Sequence, residues 1–138
     1  MFKLKTAPLL VCSLFVLGLG TATAQDLDSE VKALTFVGFQ QYSEASRVFV
    51  RTNEKVKFRV DDGKRDTIVL ILENTEVTAV NHLNHLDTRF FDSPVDYVQP
   101  RLIEGTSPSV QIEIALSESV PYETIQNDNF LAIDFKRQ

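Results

Sequence analysis

The feature that most constrains this chain is a hydrophobic period of two. Between residues 47 and 60, Val48, Val50, Val56, Phe58 and Val60 interleave with Arg47, Phe49, Arg51, Lys57 and Arg59. Side chains of an extended strand point alternately to opposite faces, so this spacing sets an apolar row against a core and a mostly basic row outward. Runs of the same kind, rich in Val, Ile, Phe and Tyr, recur at short intervals along the chain. They predict one group of strands at Val31–Phe39, Arg47–Thr52, Val56–Val60 and Thr67–Leu72. A second group is predicted at Val95–Glu104, Ser109–Leu116, Val120–Gln126 and Phe130–Lys136. Ile68–Leu72 is apolar on both faces, as a covered central strand is. Asp61-Asp62-Gly63 reads as a hairpin turn, because Asp-Gly tolerates the positive φ that tight turns need. Val77, Val80, Leu83 and Leu86 recur every three residues within Glu76–Asp87, which predicts a short helix or 3₁₀ turn there. Pro94, Pro100, Pro108 and Pro121 are expected at or near strand ends.

The two groups repeat one another. A shift of 64 residues lays Val31 on Val95, Val48 on Ile112, Val50 on Ile114, Val56 on Val120 and Phe58 on Tyr122. One deletion in the second turn then lays Ile68 on Leu131, Leu70 on Ile133 and Leu72 on Phe135. Each group has one apolar face to cover, so the expected fold is all-β: a β-sandwich of two similar four-stranded halves.

The N-terminus carries a different signal. Lys3 and Lys5 precede the uncharged apolar run Pro8–Gly20, which ends at Ala22-Thr23-Ala24, a small-x-small pattern of the kind signal peptidase cuts. Residues 1–24 are therefore expected to be a cleaved signal peptide, residues 25–30 a mobile acidic leader, and residues 31–138 the folded domain. The apolar run is shorter than the roughly 20 residues a membrane-spanning helix needs. Cys12 follows Val11 inside that run, which argues against a lipoprotein signal. Cleavage removes Cys12, the one cysteine of the 138 residues, and leaves neither a disulfide nor a thiolate. An exported, cysteine-free domain implies a bacterial source and the periplasm. The whole chain has a net charge of −5, and −7 remains without Lys3 and Lys5, which speaks against nucleic acid as a partner.

Several segments together resemble the AMIN domain, the module found beside cell-wall amidases and type IV pilus secretins. They are the opening strand Val31-Lys32-Ala33-Leu34, Ser46-Arg47-Val48-Phe49-Val50, the Val56-x-Phe58 strand and Lys64–Leu72. Val98–Ile103, Val110–Leu116 and the closing Phe130–Phe135 continue the match. The resemblance implies a symmetric β-sandwich and a non-catalytic role: binding peptidoglycan to localise an amidase, secretin, pilus or other envelope machine. The alternative is a protein-interaction accessory factor of such a complex.

Charge is distributed unevenly. Residues 44–72 hold seven Lys/Arg and five Asp/Glu, whereas residues 91–135 hold one Arg and eight Asp/Glu. Arg47, Arg51, Lys57 and Arg59 are expected on one face of a hairpin with Phe49 between them. Guanidinium groups can grip the carboxylates of peptidoglycan stem peptides, and an exposed aromatic can stack on a sugar. The plainer alternative is a solvated face whose long side chains cover the sheet. Arg101 matches an Arg of the AMIN pattern and is the sixth candidate; its alternative is an ion pair with Asp96 or Glu104. Phe90 and Phe91 are either a cover over one end of the sandwich or, if exposed, an anchor for a protein partner. His82, His85 and Asp87 have the spacing of a metal trio on a helical turn but no fourth ligand, so a surface turn is the better reading. No nucleophile elbow, phosphate-binding loop, His-Glu-x-x-His or dinucleotide fingerprint is present, and neither a catalytic residue nor a cofactor or metal is expected.

Overall fold

The computed structural model describes residues 30–137; the predicted signal peptide and all of the acidic leader but Glu30 lie outside that range. Among the described residues the chain forms β1 (Lys32–Gln41), β2 (Ala45–Thr52), β3 (Phe58–Asp62), β4 (Thr67–Leu72) and β5 (Thr75–Val77). A 3₁₀ turn, Val80–Leu83, lies within the segment where the three-residue spacing pointed to one. It is followed by β6 (Leu86–Asp87), β7 (Val95–Ile103), β8 (Ser109–Leu116), β9 (Tyr122–Asn127) and β10 (Phe130–Lys136).

The strands form an all-β sandwich of two five-stranded sheets. The first runs β5-β1-β2-β10-β9 and the second β3-β4-β8-β7-β6. The alternating apolar row is the core: Val48 and Val50 of β2, Leu70 and Leu72 of β4, Ile112 and Ile114 of β8, and Ile133 and Phe135 of β10 are all fully buried. Each such side chain contributes at most about 1.5–3 kcal/mol through the apolar surface it removes from water. Phe58 and Val60 pack against this cluster at the margin.

The repeat is built into the structure, but the halves are not the sheets. Each sheet takes a hairpin from each half: β1–β2 pairs with β9–β10, and β7–β8 with β3–β4. Thr67 opposite Ala115 in one sheet corresponds to Phe130 opposite Arg51 in the other, and the equivalence continues residue by residue. Backbone bonds outside the ladders repeat as well. Thr52 donates to Asn129 O and Leu116 to Asp66 O, Asn53 to Ala33 O and Ser117 to Pro94 O, Glu73 to Lys57 O and Lys136 to Pro121 O.

Four details differ from expectation. First, the opening strands align one turn of the pattern later: Leu34, not Val31, is the partner of Val95. Both of these are fully buried, both precede the bulge in their strand, and Val31 is exposed. Second, β2 and β3 are not a hairpin. Residues 53–57 carry the chain from one sheet to the other, with Val56 buried on the way, and residues 117–121 do the same with Val120. Five residues span more than the roughly 10 Å between packed sheets. Third, Asp61 and Asp62 lie in β3 rather than in the turn, which begins only at Gly63 and puts its positive φ on Arg65 (51°) and Asp66 (52°). Gly63 instead donates its N–H to Thr67 O at 2.6 Å. Pro100 also lies inside β7 rather than near its end; β6 pairs only with Val98 and Tyr97, so nothing needs an N–H from Pro100 on that side.

Candidate functional site

The two outer faces of the sandwich carry the candidate residues, and the break at residues 53–57 divides them. Arg47, Phe49 and Arg51 of β2 face outward from the first sheet. Lys57 and Arg59 belong to the second, so the single basic hairpin face expected from the sequence does not exist.

Register orders the first sheet's outer face in rows. Phe36, Arg51 and Phe130 lie side by side on β1, β2 and β10; the next row is Gly38, Phe49 and Ala132, and the third Gln40, Arg47 and Asp134. The Phe49 ring lies between its two neighbours, with centroids 5.6 Å from Phe36 and 5.6 Å from Phe130. These are favourable offset aromatic separations. Gly38 makes room for it: a Cβ there would stand 2.6 Å from Phe49 Cζ and 2.7 Å from Phe36 Cε1. Phe36 is 47% exposed, while Phe49 and Phe130 are half-buried, so the three rings form a platform that solvent reaches chiefly at Phe36. Arg51, exposed between Phe36 and Phe130, takes part in none of the ion pairs among the described residues.

Arg47 is held differently. Its Nε and Nη2 donate to the two carboxylate oxygens of Asp134 at 2.7 and 2.8 Å, and Nη1 reaches the Tyr42 hydroxyl at 3.4 Å. The Tyr42 ring lies 5.1 Å from the guanidinium carbon. The Asp134 hydrogen bonds raise the Arg47 pKa above its ordinary value. Both side chains are mostly buried, 25% and 12% exposed, so the pair fastens β2 to β10 and its charge is already neutralised.

The second sheet's outer face is polar. Its rows are Tyr97, Ala115 and Thr67; Gln99, Glu113, Val69 and Asp61; and Arg101, Gln111, Ile71 and Arg59. Arg101 pairs with Glu113 at 3.1 Å, a cross-strand diagonal neighbour, rather than with Asp96 or Glu104. The Tyr97 hydroxyl donates to the same carboxylate at 2.7 Å, which raises its pKa. Arg59 pairs with Glu73 at 3.1 Å and Asp61 at 3.5 Å. Lys57 and Arg59 also line a groove of about 620 Å³ with Lys32, Lys55, Glu30 and Glu73. Cations and carboxylates are interspersed there, so the groove is not a basic pocket.

Phe90 is 89% exposed in the loop before β7, while Phe91 is half covered, its ring 5.2 Å from Phe39. The pair is therefore no closed cover over the sandwich end. His85 bonds Gln99 Oε1 at 2.9 Å and lies against Tyr97. Asp87 is gripped by Arg89, whose hydrogen bonds hold its carboxyl down to about 2.

Phe36, Gly38, Phe130 and Asp134 were not among the sequence candidates. Their outward parity was readable from Val37, Leu131, Ile133 and Phe135; their gathering around Phe49 depends on β10 pairing with β2, which no local signal encodes. No protein-family model matches this chain, and neither a curated protein nor a solved structure matches it.

Proposed function

We propose that this chain is a non-catalytic binding module of a Gram-negative envelope, acting in the periplasm, with peptidoglycan held against the outer face of the first sheet. The observation that carries the reading is the Phe36–Phe49–Phe130 ring cluster on this face, with the exposed Arg51 in register between Phe36 and Phe130. The C–H faces of sugar rings pack on such a platform, and a stem-peptide carboxylate accepts two parallel hydrogen bonds from one guanidinium. The resemblance to the AMIN domain supports the same ligand. Of the six sequence candidates, Phe49 and Arg51 belong to this site and Arg47 braces it. Lys57, Arg59 and Arg101 lie with the second sheet and are assigned no ligand role.

Co-sedimentation with isolated sacculi tests the proposal. The chain should pellet with sacculi at moderate salt. Phe36→Ala and Arg51→Glu should each weaken binding by about tenfold, whereas Tyr97→Ala on the opposite face should leave it unchanged. Equal losses from both faces, or no pelleting, would rule the platform out. Phe90 favours a second reading, docking of an envelope protein, since an aromatic side chain this exposed is a typical interface anchor. In that case Phe90→Ser should abolish a stoichiometric complex while sacculus binding is absent.

A further inference from the structure

The sandwich has four lateral edges, and they are finished differently. On one side β5 and β6 are only three and two residues long, and the 3₁₀ turn runs between them. The other side is bordered by β9 and β3, each paired with one neighbour: β9 with β10 and β3 with β4. Phe58 of β3 and Gln126 of β9 line a common cleft on this side. Exposed edges are usually blunted by short length, lysine, proline or a bulge. β9 runs for six residues, Tyr122–Asn127, with Glu123 its one charge and none of those devices inside it.

The phase of the ladders fixes which backbone groups are free. Lys57 O accepts from Glu73, Gly63 donates to Thr67, and Pro121 O accepts from Lys136. In an antiparallel ladder the bonded positions alternate, so Arg59, Asp61, Glu123 and Ile125 also turn inward to their neighbours. The N–H and C=O groups of Phe58, Val60, Tyr122, Thr124 and Gln126 are then directed away from the sheets.

We infer that a second copy of this chain pairs along this side, β9 against β9 and β3 against β3, antiparallel about a two-fold axis at Thr124 and Val60. These two residues are equivalent positions of the internal repeat, 64 apart. The charges select a copy of the same chain over a foreign strand. In that register Arg59 faces Asp61 of the second copy, and the relation is reciprocal, so an edge that reads plus-then-minus becomes complementary to itself. Within one chain these two groups are exposed neighbours 3.5 Å apart. On β9, Glu123 faces Ile125 and Tyr122 faces Gln126, so the lone carboxylate meets no like charge. Both five-stranded sheets become continuous across the axis.

Sedimentation velocity of the purified chain over a concentration series, without ligand, tests this, with circular dichroism to confirm folding. A monomer–dimer equilibrium is expected. R59D, an exposed substitution, should weaken the dimer by about tenfold or more, since it sets two pairs of like charges opposite each other. The charge-exchanged variant R59D/D61R should restore it. T124P, which removes an outward N–H and leaves the β10 ladder intact, should also weaken it. A chain that stays monomeric, or a dimer indifferent to R59D and T124P, overturns the inference. So does a folded R59D/D61R variant that fails to recover.

Discussion

The inner faces of the two sheets are near copies, while their outer faces share almost nothing. Inside, Val48 and Val50 stand where the other sheet has Ile112 and Ile114, and Ile133 where it has Leu70. Outside, Phe36, Phe49 and Phe130 correspond to Tyr97, Glu113 and Thr67, and the Arg47–Asp134 pair to Gln111 and Ile71. Core packing acts on both inner faces alike, because a changed methylene there is felt at once. Nothing in the fold asks an outer face for three clustered rings and a guanidinium, since the second sheet folds without them. The difference therefore separates what the sandwich requires from what the first sheet adds.

The largest expected effect comes from making the two faces alike. Arg47→Gln leaves the mostly buried Asp134 carboxylate without its partner and should cost about 3 kcal/mol in urea unfolding. Adding Asp134→Ile recreates the Gln111–Ile71 arrangement and should return stability to within about 1 kcal/mol of the starting chain. A double variant no more stable than the single one would show that the two sheets are not interchangeable at this row.

A smaller effect, with opposite signs in the two halves, is expected at Ser46 and its counterpart Val110. Both are fully buried, and Ser46 Oγ finds no hydrogen-bond partner among the described residues. Ser46→Ala should therefore stabilise by about 1 kcal/mol. Val110→Ala should destabilise by about 2 kcal/mol, because it opens a cavity in the same layer. Thermal unfolding of both variants measures the contrast, and equal signs would sink it.

The smallest effect belongs to the second sheet's edge strand. The Asp87 carboxyl is lowered from 3.8 to about 2 by Arg89, so its contribution is present above pH 3.8 and is lost as pH falls through about 2. An NMR titration should place its midpoint there, and Arg89→Ala should return it toward 3.8.

Much of the fold was legible because burial imposes a period on every strand. The alternation through Arg47–Val60 identified which side chains of β2 and β3 face the core, and the 64-residue shift placed Val56 on Val120 correctly. The site was legible only in part. Phe49 and Arg51 stood out as outward-facing members of a strand whose other face is apolar. Arg59 and Lys57 had the same local signature yet lie with the other sheet, because alternation says nothing about which sheet a strand joins.

The sequence by itself determined the strands, the inward rows and the twofold repeat, all of which follow from side-chain direction and the cost of leaving apolar surface in water. Only the tertiary structure decided the partition of hairpins between sheets. At residues 53–57 the chain crosses the sandwich with Val56 in the core instead of turning back beside β2. That choice brings β10 against β2, sets Phe130 and Asp134 around Phe49 and Arg47, and sends Arg59 to the far face. Strand pairing joins residues about 80 positions apart, and its free energy is settled by the packing of the whole core rather than by any local pattern.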